Sequence, residues 1–326
     1  MQWKELTLLI TGGTGSFGNK LVEILLAKYF PKKIIILSRD ELKQYEMMER
    51  FRHPSVQFVL GDVRDQNRLL EAFTNVDLVM HAAALKQVPR CESEPNEAIK
   101  TNILGAINVI TAAGARGASK VVALSTDKAC QPANLYGATK LCSDRLFAAA
   151  NGDQTKTQFS VVRYGNVFNS RGSVVPFFRE KGKAGVLPIT DERMTRFWIT
   201  LEQGAEFVLS AFDRMLGGEI FVPKLPSMRI VDLAEALVPG CQYEIIGIRP
   251  GEKIHESLIS QDEARNTVEY DTYYVILPSS RPSPKVGFQE VEEENARLVP
   301  EGFSYRSDNN PQQLTIRDLQ DLSKQA

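Results

Sequence analysis

The sequence is poor in several things, and each shortage closes off a class of function. It has four cysteines in 326 residues, Cys91, Cys130, Cys142 and Cys241, with no C-x-x-C pair among them. That spacing excludes a cysteine-built zinc site or a disulfide framework and fits a reducing, cytoplasmic setting. It has three histidines, His53, His81 and His255, too far apart in sequence to share a metal, so His81 is read as structural and no metal is expected. It has no excess of one charge: 39 Lys and Arg stand against 40 Asp and Glu, a net charge of −1. Nucleic acid or an anionic membrane surface calls for a basic patch, so neither partner is expected. No apolar run approaches the ~20 residues that span a bilayer. The first strand starts about six residues after Met1, which leaves no room for a signal peptide.

What is present is an ordinary globular composition, 43% hydrophobic and 24% charged. Its length suits one large domain or two smaller ones. Short apolar runs alternate with amphipathic stretches. LTLLI (6–10), IIIL (34–37), VQFVL (56–60), VDLVM (76–80), VVALS (121–125) and FSVVRY (159–164) read as strands. Helices are predicted over 17–28, 40–51, near 68–73, near 96–113 and over 135–149. Strand–helix alternation means βαβ units and a parallel sheet covered on both faces. The fold class is therefore α/β, a doubly wound Rossmann sheet over residues 1–166. Residues 167–326 are less regular and read as a smaller substrate-binding lobe, with some segments returning to the core. Residues 279–313 are polar and proline-rich and read as loop.

The first strand runs directly into Gly12-Gly13-Thr14-Gly15-Ser16-Phe17-Gly18, a G-x-x-G-x-x-G made by Gly12, Gly15 and Gly18. Between a strand and a helix, such glycines let the backbone approach a pyrophosphate that the helix N-terminus attracts. Thr14, Ser16 and Phe17 lie on the phosphate-facing part. A dinucleotide site for NAD usually ends its second strand on Asp or Glu. Here that strand ends Leu37-Ser38-Arg39, and Ser38 and Arg39 suit a 2′-phosphate, so NADP is expected. The alternative leaves Arg39 in solvent and gives the ribose to Asp40.

Tyr136-Gly137-Ala138-Thr139-Lys140 is a Y-x-x-x-K at a helix start, just downstream of Ser125-Thr126. Residues four apart share a helix face, so Lys140 can sit near the phenol and lower its pKa. Thr126-Asp127-Lys128 leaves the fifth strand at its carboxyl end, where such sheets hold ligands. Read functionally, it places an acid and a base over the substrate; read plainly, it is a solvated ion pair on a loop.

The glycine loop, HAAA at 81–84, Asn102, Ser125-Thr126 and Y-x-x-x-K, in this order, resemble the extended short-chain dehydrogenase/reductase family. TDKA followed by NLYGATK, with SRDELKQ, LPITDERMTRFWI, IIGIRPGEK and FSYRSDNNP, resembles its C5-inverting UDP-N-acetylglucosamine 4,6-dehydratases, the first enzymes of pseudaminic acid biosynthesis. Retaining dehydratases carry Glu after the Asp, where this chain has Lys128, and a related group has Met at the position of Tyr136. The resemblance implies that Tyr136 opens the reaction by oxidation at C4, with Thr126 and Lys140 beside it. It implies that Asp127 gives a proton to the C6 hydroxyl and Lys128 takes the C5 proton, an assignment that spacing does not settle. It also implies cofactor contacts from Asp40, Lys43, Asp62, Val63, Ala82, Ala83, Ala84 and Lys86. Substrate contacts are implied for Lys86, Asn166, Arg196 and Arg249, with Tyr305 closing the site. A UDP-sugar substrate and a homo-oligomer, dimer or hexamer, follow from the same resemblance. The rival readings are a C4 epimerase, a dehydratase of another UDP-sugar, and a non-catalytic NADP-sensing module.

Overall fold

In a computed structural model, residues 1–152, 156–169, 173–278 and 296–325 are described. Six parallel strands come first: β1 (Thr7–Thr11), β2 (Lys33–Ser38), β3 (Val56–Leu60), β4 (Leu78–His81), β5 (Lys120–Thr126) and β6 (Gln158–Tyr164). They stand in the order β3-β2-β1-β4-β5-β6, with every pair parallel. The order reverses between β1 and β4, and a crevice opens there at the carboxyl ends of the strands. Continuous apolar runs bury β1 and β4 throughout. The exception is β3, an edge strand whose residues are half-buried or exposed, because helices cover it incompletely.

The helices begin where short polar side chains cap them. Asp40 accepts from the Lys43 amide at 3.0 Å and starts α2 (Glu41–Arg50), and Asn134 accepts from the Gly137 amide at 2.8 Å and starts the helix Leu135–Ala149. By length and composition one helical run, Pro95–Arg116, is apolar enough to cross a membrane, which corrects the expectation that none would be. It is the β4-to-β5 crossover, packed on the helices Gln66–Ala72 and Leu135–Ala149, hence its apolar face. A π-turn over Lys100–Leu104 interrupts it and turns buried Asn102 toward the site.

The second half of the chain does not stay apart from the first. Ile220–Pro223 adds to the sheet parallel to β6, and Tyr273–Ile276, Thr267–Glu269 and Arg297–Leu298 extend it antiparallel. A second apolar cluster, around Phe168, Phe178, Trp198, Met228, Leu233 and Leu319, forms the separate core of the lobe. Of the proline-rich stretch, residues 279–295 lie outside the described residues, and beyond it Arg297–Leu298 and Tyr305–Arg306 are strands rather than loop.

Arg163 on β6 joins the halves. Fully buried, it binds Asp144 at 3.2 Å on the helix Leu135–Ala149, Glu263 at 3.0 Å and the Leu258 carbonyl at 3.1 Å. Removing one partner of a buried ion cluster strands the others without water, which costs about 3–5 kcal/mol. Arg163→Met therefore loses about that much stability in denaturant unfolding, and a loss under 1 kcal/mol would show the cluster to be incidental.

Candidate active site

One cleft of about 1340 Å³ runs from the glycine loop, past Lys128 and Tyr136, to Trp198 and Arg249. At its cofactor end, α1 (Ser16–Ile24) starts at the loop, and two of the loop's glycines answer to close contacts. Gly12 has φ +65°, and a Cβ there would lie 2.7 Å from the Ala83 Cα. A Cβ on Gly18 would lie 2.0 Å from the Gly13 carbonyl oxygen. Gly18 thus lets the helix close on the loop and does not line the cleft, while Gly12, Thr14, Gly15, Ser16 and Phe17 do. The cradle leaves bare backbone where a dinucleotide pyrophosphate needs it, so the residues present fit that group. Asn19 donates to the Thr14 and Gly15 carbonyls at 3.1 and 3.0 Å and fixes the loop, a role the glycine spacing did not reveal.

At the end of β2, the Ser38 and Thr14 hydroxyls meet at 2.8 Å. Arg39 is exposed and lies 3.7 Å from Asp62, whose carboxylate is gripped by Arg64 at 2.6 Å. Burial works against the Asp62 anion, but the Arg64 hydrogen bonds outweigh it and hold the carboxyl below its usual range. Asp40 is occupied with capping α2 and with Lys43 at 2.6 Å. Ser38, Arg39, Asp40, Lys43, Asp62 and Val63 all line this end of the cleft.

His81 is buried at the end of β4 with Nδ1 2.8 Å from the Thr11 hydroxyl. Burial, and secondarily the Lys140 charge, push its pKa down to about 3, so it is neutral and structural. Asn102 accepts from the Leu85 amide at 2.8 Å and donates to the Leu85 carbonyl at 2.9 Å and to Thr139 at 2.9 Å. It clips the Ala82–Lys86 segment, which lines the cleft, to the helix Leu135–Ala149. Burial lowers the pKa of Lys86.

The reactive group forms where β5 ends. A Cβ on Gly137 would lie 2.2 Å from the Lys128 carbonyl oxygen, so only glycine lets the helix Leu135–Ala149 press its first turn on the Asp127–Ala129 turn. The close approach brings Tyr136 and Lys128 to one wall. Lys128 Nζ donates to Asp127 Oδ1 at 3.0 Å and to Asn166 Oδ1 at 3.3 Å, and stands 3.4 Å from Glu256. The Thr126 hydroxyl donates to the same Asp127 oxygen at 2.9 Å. Burial alone would lower the Lys128 pKa, but Asp127 and Glu256 reverse it, and the ammonium is held above the ordinary lysine range.

Three expectations change here. Asp127, expected to meet the C6 hydroxyl, is fully buried and does not line the cleft, whereas Lys128 does. The cation that lowers the Tyr136 pKa is Lys128, not Lys140: burial raises the phenol to about 12 against the pull of Lys128 and a contact with Thr126. Lys140 is itself buried on the cleft wall, its pKa lowered by burial against the opposing charge of Asp144. Tyr305 does not close the site: it is buried with its hydroxyl on the Leu225 carbonyl at 2.9 Å, and its ring is packed on Phe197 and Tyr274.

At the far end, Arg249 lines the cleft, half-exposed and 3.9 Å from Glu252. Arg196 also lines it, but its NH groups donate to the carbonyls of Thr195, Lys253 and Ile254 at 2.7–3.0 Å. Its fork therefore anchors the Arg249–Glu256 segment instead of standing free for a diphosphate.

The chain matches the family model described as polysaccharide biosynthesis protein over residues 8–278. It is 55% identical, across 97% of its length and 96% of the relative's, to the UDP-N-acetylglucosamine 4,6-dehydratase (inverting) of Campylobacter jejuni subsp. jejuni serotype O:2. It is 41% identical, across 97% of its length and 94% of the relative's, to a UDP-glucose 4-epimerase of Rickettsia bellii. The solved structure of Pen from Bacillus thuringiensis superposes with a TM-score of 0.90 at 36% identity, covering 100% of this chain and 99% of that one.

The site makes a spectroscopic prediction. In the cofactor-free protein, the phenolate absorption that is lost in Tyr136→Phe emerges near pH 12. Lys128→Met removes the cation that lowers this pKa, so the transition moves to higher pH. A transition that stays in place or moves down contradicts the assignment.

Proposed function

We propose that this chain, which belongs to the polysaccharide biosynthesis protein family, is a C5-inverting UDP-N-acetylglucosamine 4,6-dehydratase using NADP. The observation that carries the reading is Lys128 Nζ on the cleft wall beside Tyr136, 3.0 Å from a buried Asp127. The 55% identity to a relative of that activity, spanning nearly both chains, supports it. A nicotinamide dinucleotide held by the glycine loop and the Ala82–Lys86 wall would supply an acceptor for the C4 hydride and a donor of that hydride to C6.

The rest is the work of the chain's own residues. Tyr136, as phenolate, takes the C4 hydroxyl proton, and the ketone so formed acidifies the neighbouring C5–H bond. Lys128 donates to Asp127 across 3.0 Å, a path along which it gives up its proton. With that proton on Asp127, Lys128 is a neutral amine facing the sugar and takes the C5 proton. The ammonium then protonates the C6 oxygen as the C6–O bond breaks and water leaves. C5 receives a new proton on its opposite face, which inverts it, and the proton Tyr136 took at C4 balances the one C5 gains. Asn166, which accepts from Lys128 at 3.3 Å, keeps the amine aimed into the cleft.

NADP rather than NAD is supported by Ser38, Arg39 and Lys43 at the adenosine end, where Asp40 is already committed to Lys43. The product feeds pseudaminic acid biosynthesis in the cytoplasm. The enzyme works as a homo-oligomer, a reading supported by exposed Leu42, Tyr45 and Met48, at helical spacing along α2. The 41% identity to an epimerase favours C4 epimerisation as a second reading. That reaction needs Tyr136 and the cofactor but leaves the Asp127–Lys128 pair without a task.

Incubated with UDP-N-acetylglucosamine in deuterated water, the enzyme produces a sugar with a 6-methyl group and deuterium at C5, read by NMR; a C4 epimer with no methyl group would mean the epimerase reading. In Lys128→Ala, C4 oxidation persists, slowed by the higher Tyr136 pKa, while C5 exchange falls by ~10²–10⁴, the usual yield of a positioned base. Full turnover in that variant refutes the role of Lys128. Arg39→Ala weakens NADP binding by about tenfold or more, the loss of one charge-assisted hydrogen bond, and leaves NAD binding unchanged; equal losses for both would reject the 2′-phosphate contact.

A further inference from the structure

We propose that Glu256 is a positioning residue for Lys128, a second carboxylate that fixes the amine in the cleft wall and sets how tightly it holds its proton. The inference rests on the dehydratase reading for its kinetic consequence but not for its electrostatics. Glu256 is 3% exposed and does not line the cleft, so it touches neither substrate nor cofactor.

The fold places this carboxylate firmly. Its backbone is tied on both sides: the Glu256 amide donates to the Ser307 hydroxyl at 2.9 Å, and the Ser307 amide donates to the Glu256 carbonyl at 2.9 Å. The preceding residues are held by the Arg196 fork on the Lys253 and Ile254 carbonyls and by Lys253 Nζ on the Cys130 carbonyl at 2.6 Å. That last bond joins the segment to the turn that carries Lys128.

A buried carboxylate must be paired, because leaving it uncompensated costs several kcal/mol. The cations facing Glu256 are Lys128 at 3.4 Å, Lys253 at 3.7 Å and Arg196 at 3.9 Å. Arg196 has its NH groups on carbonyls, and among the described residues Glu256 Oε2 accepts no hydrogen bond. Lys128 is therefore the nearest counter-ion. Lys128 in turn is faced by Asp127, Glu256, Arg196 and the Tyr136 phenol. Glu256 raises its proton affinity and Arg196 lowers it. Asp127 alone would place the amine and take its proton; the second carboxylate makes it the stronger base toward C5 and holds the ammonium once formed.

The test measures Lys128 directly, without turnover. In the full-length, cofactor-free protein, acetylation of Lys128 by acetic anhydride at pH 9 is followed by mass spectrometry. Glu256→Gln raises the rate by roughly tenfold or more, as a pKa drop of one unit or more requires. With UDP-N-acetylglucosamine in deuterated water, the same variant moves the pH profile of C5 exchange to lower pH while that of C4 oxidation moves much less. Unchanged acetylation overturns the proposal, and so does an equal slowing of both steps, which is what a merely structural residue would give. If Glu256→Gln does not fold, Glu256→Asp decides: drawing the carboxylate back by one methylene raises Lys128 acetylation above wild type, and wild-type acetylation overturns the proposal. Altered acetylation in a protein that dehydrates no UDP-sugar upholds the clamp and refutes the dehydratase reading.

Discussion

An ammonium group pinned between two carboxylates that water hardly reaches is the interaction around which the site is arranged. Lys128 meets Asp127 at 3.0 Å and Glu256 at 3.4 Å, and both acids are buried. In such surroundings the location of one proton decides whether the lysine is a charge or a base. The same cation pulls down the Tyr136 pKa. In the proposed mechanism, oxidation at C4 and proton removal at C5 are thereby coupled through one side chain: charged, it assists the phenol, and neutral, it serves the sugar.

The scaffold supplies what this arrangement needs. Gly137 lets the helix Leu135–Ala149 settle on the turn that carries Asp127 and Lys128. Asn102, turned inward by a π-turn, joins that helix to the segment that lines the nicotinamide end. Arg163 ties β6 and the same helix to the segment following Glu256. The lobe is thus more than a lid for the sugar nucleotide, since it contributes the second carboxylate and the Arg196 fork that anchors it.

Much of this was legible in the order of residues. The strands β1 to β6 could be read because a buried parallel sheet requires continuous apolar runs, and the helix Leu135–Ala149 because strand–helix alternation calls for one between β5 and β6. The cleft residues near the glycine loop and Y-x-x-x-K could be read because their chemistry is local in sequence. What depends on distant contacts could not. Glu256 looks like any surface glutamate until the strand that follows it, Ser257–Ile259, pairs with Tyr305–Arg306. Arg196 carries no sign that carbonyls will occupy its fork, and Tyr305 no sign that the core will take its ring. The burial of Asp127 beneath Lys128 follows from how the turn packs under Gly137, which spacing alone does not encode.

The central claim is that Lys128, and not Asp127, meets the sugar. A crystal structure of the protein with the dinucleotide and UDP-N-acetylglucosamine tests it most directly. The account predicts Lys128 Nζ about 3–3.5 Å from sugar C5, the usual near-attack separation, with Asp127 behind it and out of contact. An Asp127 carboxylate against the C6 hydroxyl, with Lys128 turned away from C5, would contradict it.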